Sequence, residues 1–304
     1  MIPTQKKRNH KHAYLAVFDN QKWVPICYGT QKGKVCYFNE IGKDIAYLPL
    51  YYDNQGIHPI TDPFILDSRG RIKYLHADTS KRKKVILSRK YYLAKHIFDY
   101  AKTLTGGHFE ASNNPDFSDP DTIHTISHWL LSADSFEIKP QKTYRYWRYV
   151  SAKNKGCNLA ELAFYSDKEE KELTGTIIGT NASVRYDTMP MDKSKVFDKD
   201  ILTYYEAPST VDYPWVGLDF NKPVSINKII YTPRNDDNNI HAGDLYELFY
   251  WEYNHWMSLG QQRAIESKLT YTNVPDNALL LLKDLTKGEE ERIFTYENDK
   301  QVWW

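Results

Sequence analysis

Three oxygen-bearing side chains stand close together in one short polar stretch: Asp198, Asp200 and Thr203. A calcium ion takes roughly six to eight oxygens in flexible geometry, and a tight loop supplies them from carboxylates, hydroxyls and its own carbonyls. The competing reading is a pair of turn formers whose carboxylates bond their own backbone. Further along, Arg234, Asn235, Asp236, Asn239 and His241 crowd a second polar stretch. The vicinal hydroxyls of a sugar need planar donors and acceptors beside an aromatic face. Arg, Asn and Asp supply the first. Tyr204, Tyr205 or Tyr213 supply the second if loops converge at one end of the fold. Without that convergence the same residues form a solvated loop held by Asx turns, or a structural interface.

Chemistry of other kinds finds little support. GxSxG, HExxH and P-loop patterns are absent from the chain. Cys27, Cys36 and Cys157 are an odd set with no zinc spacing, and they read as small buried residues, with a Cys27–Cys36 hairpin pair left open. Glu110 and Glu161 could be paired as glycosidase carboxylates only by ignoring spacing. Lys and Arg total 40 against 39 Asp and Glu, a balance that gives no reason to expect nucleic acid. The run Lys81-Arg82-Lys83-Lys84 reads as a solvated linker or strand edge. No apolar stretch approaches the roughly 20 residues that span a bilayer, and the opening residues carry no apolar signal core.

The elements that must position these residues read as strands. The chain holds 24 Tyr, 12 Phe and 8 Trp, residues that favour sheets and fill their cores. Short β-rich runs broken by Gly, Asn and Pro recur throughout, and no sustained helical periodicity appears apart from a helical turn within 91–104. Tyr144-Arg-Tyr-Trp-Arg-Tyr-Val150 alternates, with Arg145, Trp147 and Tyr149 on one face. Strands are expected at 215–220, 226–233, 245–251, 256–259, 269–274, 278–282 and 292–296. The expected fold class is all-β, as tandem β-sandwiches: a small one over 13–80, a shortened jelly-roll-like domain over 85–166, and a longer unit over 170–304. Trp303 and Trp304 are expected to dock against another unit.

The last unit resembles the discoidin, or coagulation-factor type C, domain. Val196-Phe-Asp-Lys-Asp-Ile-Leu-Thr-Tyr-Tyr205 is similar to that family's loop, Trp215-Val-Gly-Leu-Asp-Phe220 and Ile226–Arg234 to the two strands after it, and Tyr246–Trp251 with His255-Trp256 to a later strand and turn. Lys199 departs from the family's usual Gly, and Tyr204-Tyr205 stands where Trp is common. The segment 107–117, the Tyr-Arg-Tyr-Trp strand and Ala160-Glu161-Leu162 resemble the start and end of the same fold. By Leu48-Pro-Leu-Tyr-Tyr52, Arg234-Asn-Asp236, Gly243-Asp-Leu-Tyr-Glu247 and Glu290-Glu-Arg-Ile-Phe294, residues 13–304 also look like the C-terminal region of Bacteroidetes proteins that carry a transglutaminase-like domain ahead of tandem β-sandwiches.

The resemblance implies a galactose-binding-like jelly roll at 170–304. It also implies one structural calcium on Asp198, Asp200 and Thr203, completed by a Glu near the C-terminus, best matched by Glu291. Asp116, Asp119 and Glu161 are the equivalent set in the middle unit. The expected function is a non-catalytic glycan-recognition protein or accessory module, working outside the cytoplasm. The alternative is a structural or protein-interaction module that supports a transglutaminase-like catalytic domain of the same or a partner chain.

Overall fold

The computed structural model describes residues 12–30, 44–139, 142–166, 169–183, 191–288 and 292–304. Along the chain the strands are β1 (His12–Asp19), β2 (Lys22–Thr30), β3 (Tyr47–Asp53), β4 (Gly56–Pro59), β5 (Phe64–Leu66), β6 (Ile72–Tyr74) and β7 (Asp78–Leu87). The short helix α1 (Lys95–Ala101) follows. Next come β8 (His108–Ser112), β9 (Asp121–Thr125), β10 (Asp134–Glu137), β11 (Tyr144–Val150), β12 (Cys157–Ser166), β13 (Glu169–Glu172), β14 (Thr176–Gly179), β15 (Tyr205–Glu206), β16 (Trp215–Val224) and β17 (Lys228–Pro233). The chain closes with β18 (Leu245–Glu252), β19 (His255–Arg263), β20 (Leu269–Asp276), β21 (Leu280–Asp284), β22 (Ile293–Glu297) and β23 (Lys300–Trp303). The fold is all-β, every named strand pair is antiparallel, and all seven strands expected after residue 210 are present. No helix among the described residues is long and apolar enough to cross a membrane.

The division of the chain differs from the three consecutive domains expected from sequence. There are two compact units, and one is discontinuous: residues 1–92 with 238–304 form unit 1, and residues 93–237 form unit 2. The physical reason is long-range strand pairing. β7 pairs with β20, so that Leu87 faces Leu269, and this joins segments that sequence order places in different domains. The basic run 81–84 is therefore part of a paired strand. Where the chain leaves and re-enters unit 1 the two segments are stitched: Lys90 N donates to the Asn238 carbonyl (2.7 Å), Ile240 N to the Ser88 carbonyl (3.1 Å) and the Arg89 guanidinium to Asn239 Oδ1 (2.8 Å).

Unit 1 is built around the sheet β19-β18-β21-β22-β23, which is covered on both faces. Tyr246, Leu248 and Tyr250 of β18, Leu280 and Leu282 of β21 and Phe294 of β22 face the β7–β20 ribbon. Their alternating neighbours Trp251, Leu281 and Ile293, with Leu279, face Ala16, Leu48, Leu50 and Ile65 of the sheet β2-β1-β3-β5-β6. A strand buried on both faces needs apolar residues at every position. That explains the unbroken runs Leu279–Leu282 and Leu248–Trp251. The terminal tryptophans dock inside this same unit: Trp303 pairs with Phe294, and Trp304 donates its indole N–H to Thr295 Oγ1 (3.0 Å).

Unit 2 is sandwich-like. One sheet runs β14-β16-β11-β8-β9; the other runs β10-β17-β12-β13, with β15 also on β12. Phe109, Trp147, Tyr149, Val216 and Leu218 of the first meet Leu162, Phe164, Ile229 and Tyr231 of the second in one core. The expected alternation of β11 holds for Trp147 and Tyr149. An irregularity between Tyr144 and Tyr146 lets Tyr144 pack on the same core. The first three discoidin-like motifs lie in unit 2, whereas Tyr246–Trp256 lies in unit 1. No single compact unit carries all four.

Candidate functional site

In unit 2 the loop 198–203 turns back on itself. Asp198 Oδ1 accepts from Asp200 N (3.1 Å), and Asp200 Oδ1 accepts from Leu202 N (3.0 Å), so both carboxylates act as the turn formers that the competing reading describes. Lys199 sits between them at φ +67°, the left-handed conformation that glycine adopts without strain. The hydroxyl of Thr203 is surrounded by acceptors: both Asp198 oxygens and the Asp200 carbonyl at 3.0 Å, and the Lys195 carbonyl at 3.4 Å. One hydroxyl proton serves one of these at a time. The Lys195 ammonium, 3.1 Å from Asp198 Oδ2, supplies the local positive charge.

Glu161 of β12 completes this cluster. Its carboxyl is pushed up to about 8, first by burial and then by the Asp198 charge beside it, and its Oε1 is buried without a hydrogen-bond partner. Asp198 is held below the usual carboxylate range: burial opposes this, but the Asp200 N–H, Lys195 and Thr203 outweigh it. Two carboxylates, a hydroxyl and two carbonyls are hard-oxygen donors of the kind calcium takes, with the Lys195 ammonium already on Asp198. Among the described residues, no group of three or more His, Cys, Asp or Glu is arranged to hold a metal. Glu291 lies outside the described residues, as does Cys36. Asp116 bonds the Ser118 N–H of its own loop (3.1 Å). The sequence signal for Glu161 was a lone charge inside the apolar run of β12.

The second expected cluster is packed rather than open. The Arg234 guanidinium lies between two rings, 3.7 Å from the centroid of Tyr100 on α1 and 3.6 Å from that of Tyr204. Its edge meets Asn158 Oδ1 and Glu206 Oε2, each at 3.3 Å. Asn235 is buried, donates to the Pro233 carbonyl (2.8 Å) and accepts from Asp237 N (2.8 Å). Tyr205 is fully buried, with its hydroxyl on the Thr180 carbonyl (2.8 Å). Asp236 is half-buried in the same unit. Asn239 and His241 belong to unit 1; Asn239 is buried on Arg89, and the His241 N–H donates to the Tyr246 hydroxyl (2.9 Å). Tyr213 stands exposed at φ +53°.

The two carboxylates weighed as a glycosidase pair are on opposite sheets. Glu110 of β8 is held by Arg148 Nε (2.8 Å) and lies 2.9 Å from His108 Nε2, while Glu161 is on β12. Burial pushes the Cys157 thiol far above its ordinary range, which removes the thiolate that a nucleophile needs.

Unit 1 contains an open cleft of about 1170 Å³ that sequence reasoning missed. Its residues come from four separate stretches, 51–62, 76–80, 251–254 and 276–277, so no local pattern marks it. On its rim β18 and β19 join through Tyr253-Asn254, a two-residue turn with both residues at positive φ (+49° and +66°). Such turns favour Asn or Gly, and a tyrosine at positive φ is uncommon. Tyr253 is 75 % exposed. The rings of Tyr51 and His58 lie 5.1 Å apart, tilted by 30°, and Asn254 and Asn277 also line the cleft. A second, aromatic groove of about 790 Å³ in unit 1 is lined by Phe18, Tyr91, Tyr92, Trp303 and Trp304.

Compared with protein-family models, with curated proteins and with solved structures, the chain matches none.

Proposed function

We propose that this chain is a non-catalytic carbohydrate-binding protein whose sugar site is the cleft of unit 1. The observation that carries this reading is Tyr253. A flat aromatic side chain is held in solvent by a turn it fits poorly, beside two amides and several carboxylates. Stacking rings with planar donors and acceptors are what sugar hydroxyls and C–H faces require, and backbone conformations that oppose local preference cluster at functional sites. The packed state of Arg234 and Asn235 argues against the 234–241 stretch as the contact surface.

In this reading unit 2 is the discoidin-like part. Its core gathers the segment 107–117, the Tyr-Arg-Tyr-Trp strand and Ala160-Glu161-Leu162 with the three motifs that follow. Calcium would be held by Asp198, Thr203, Glu161 and the carbonyls of Lys195 and Asp200, and would stiffen that loop. The protein would act outside the cytoplasm, and would keep an attached transglutaminase-like domain near a glycan by raising effective concentration.

The test is a glycan array on the full chain, with and without EDTA, alongside Tyr253→Ala and Arg234→Ala. Specific binding abolished in Tyr253→Ala and kept in Arg234→Ala is the expected result; a blank across a diverse array ends the carbohydrate reading. The aromatic groove of unit 1 favours a second reading, a structural module seated against a transglutaminase-like domain. A blank array transfers the weight there.

A further inference from the structure

The wall of the cleft carries charge of one sign. Asp62, Asp78, Glu252 and Asp276 line it, and no Lys or Arg does. Its two imidazoles are each bonded to a carboxylate: His58 Nε2 is 3.0 Å from Asp53 Oδ1, and His76 Nδ1 is 2.8 Å from Asp62 Oδ2. Three cations approach from outside the lining: Lys81 is 3.4 Å from Asp78, Lys83 is 2.7 Å from Asp276, and the Arg82 guanidinium donates to the Thr79 carbonyl (3.1 Å). Against the four lining carboxylates they leave one in excess. Two of the polar side chains on this wall already donate within the protein. Asn277 already spends its amide N–H groups on the carbonyls of Tyr74 (3.3 Å) and His76 (2.9 Å), and the Ser80 hydroxyl donates to Asp78 (2.6 Å).

From this lining we infer that the cleft selects saccharides that are uncharged or carry a free amine, and rejects those bearing carboxylate or sulfate. The inference rests on the carbohydrate reading and names the ligand class for that site. Sugar hydroxyls donate to carboxylate acceptors, and an ammonium has three donors to offer and gains charge-assisted bonds. The carboxylate of a uronate, or a sulfate group, brings only acceptors and a negative charge to a wall lined by carboxylates, and low-dielectric walls concentrate the repulsion. The backbone and side-chain bonds that hold Asp78 and Asp276 below the usual carboxylate range keep them ionised through the neutral region.

The experiment uses the full chain on an array carrying neutral, amino-sugar, uronate-containing and sulfated glycans, read at about 0.03 M and about 0.3 M salt, which spans strong to weak screening. For glycans of equal length, the neutral form binds and the amine-bearing form binds at least as well. The uronate form binds at least about tenfold more weakly, and the gap narrows at high salt. The double variant Asp78→Asn/Asp276→Asn narrows the gap at low salt, and its circular-dichroism spectrum reports that it folds. Uronate or sulfated glycans that bind as tightly as their neutral counterparts overturn the selectivity and leave the carbohydrate reading standing. A gap that the double variant does not move also overturns it. No binding to any class overturns both.

Discussion

Lys90 and Asp284 form an ion pair with no solvent exposure on either side chain, Nζ to Oδ2 at 3.3 Å. The other oxygen of Asp284 accepts from the N–H groups of Thr286 and Lys287, so the carboxylate is held by backbone as well as by charge. Lys90 stands at the point where the chain leaves unit 1, and Asp284 ends a strand of its central sheet.

Removing one partner strands the other charge in a dry environment, which typically costs about 3–5 kcal/mol. Lys90→Met and Asp284→Asn are each expected to lower the stability of unit 1 by roughly that amount in urea denaturation. The double substitution should recover part of the loss. Losses under about 1 kcal/mol in both single variants would mean that the pair is hydrated in solution.

Arg234 is expected to be a structural clamp. Arg234→Ala removes two ring contacts and two hydrogen bonds, and should destabilise unit 2 by roughly 2 kcal/mol. Arg234→Lys should not restore it, because an ammonium cannot lie flat between Tyr100 and Tyr204 while reaching Asn158 and Glu206. Thermal melts of the three proteins decide this. Full rescue by lysine would show that charge alone matters at this position.

Lys199 occupies a left-handed position. Lys199→Gly should gain up to about 1 kcal/mol, since the strain relieved exceeds the added freedom of the unfolded chain. The exposed contact of Lys199 with Glu172 (3.2 Å) is lost in the exchange and is worth little at the surface. Lys199→Val should instead destabilise. Equal melting temperatures for all three would show that the loop relaxes.

Glu161 makes the stability of unit 2 depend on pH. Its folded-state value, about 8, lies above its ordinary 4.5. The neutral form is the one the fold accommodates, so in EDTA its contribution is intact below about 4.5 and fades as pH climbs through about 8. Calcium favours the ionised form and should flatten or reverse that slope. Melting temperatures between pH 5 and 9 in EDTA and in calcium chloride, for the parent chain and Glu161→Gln, test both points. Glu161→Gln should show a flatter profile in EDTA and no calcium-dependent rise. An unchanged slope in the variant would place the titrating group elsewhere.

The local layer of this fold is legible in the sequence, and the connectivity is not. Alternation in β11, the strands β18 and β21 and the Asp-rich turn at 198–203 reflect interactions between near neighbours, so local pattern exposes them. The pairing of Leu87 with Leu269 has no local correlate, and sequence order led to three consecutive domains where the chain forms two units, one interrupted. The same limit applies to the sites. The Asp198–Thr203 loop was readable because its residues are adjacent, whereas Glu161 reaches it from another strand. The cleft of unit 1 is assembled from stretches too distant to form a motif. Arg234 was expected to meet a ligand, but composition cannot tell a guanidinium offered to a ligand from one enclosed by two tyrosines.

The interrupted layout of unit 1 has a consequence during synthesis. β1–β6 emerge first, with Ala16, Leu48, Leu50 and Ile65 facing one way, and the residues that cover them (Trp251, Leu279, Leu281 and Ile293) are translated only after the whole of unit 2. At roughly 5–20 residues per second, the nascent sheet stays bare for on the order of ten seconds or more. An uncovered apolar sheet with free edges is a template for intermolecular pairing. The protein's most vulnerable period therefore comes before it is finished, and heat or crowding should reduce the yield of newly made chains before it affects those already folded.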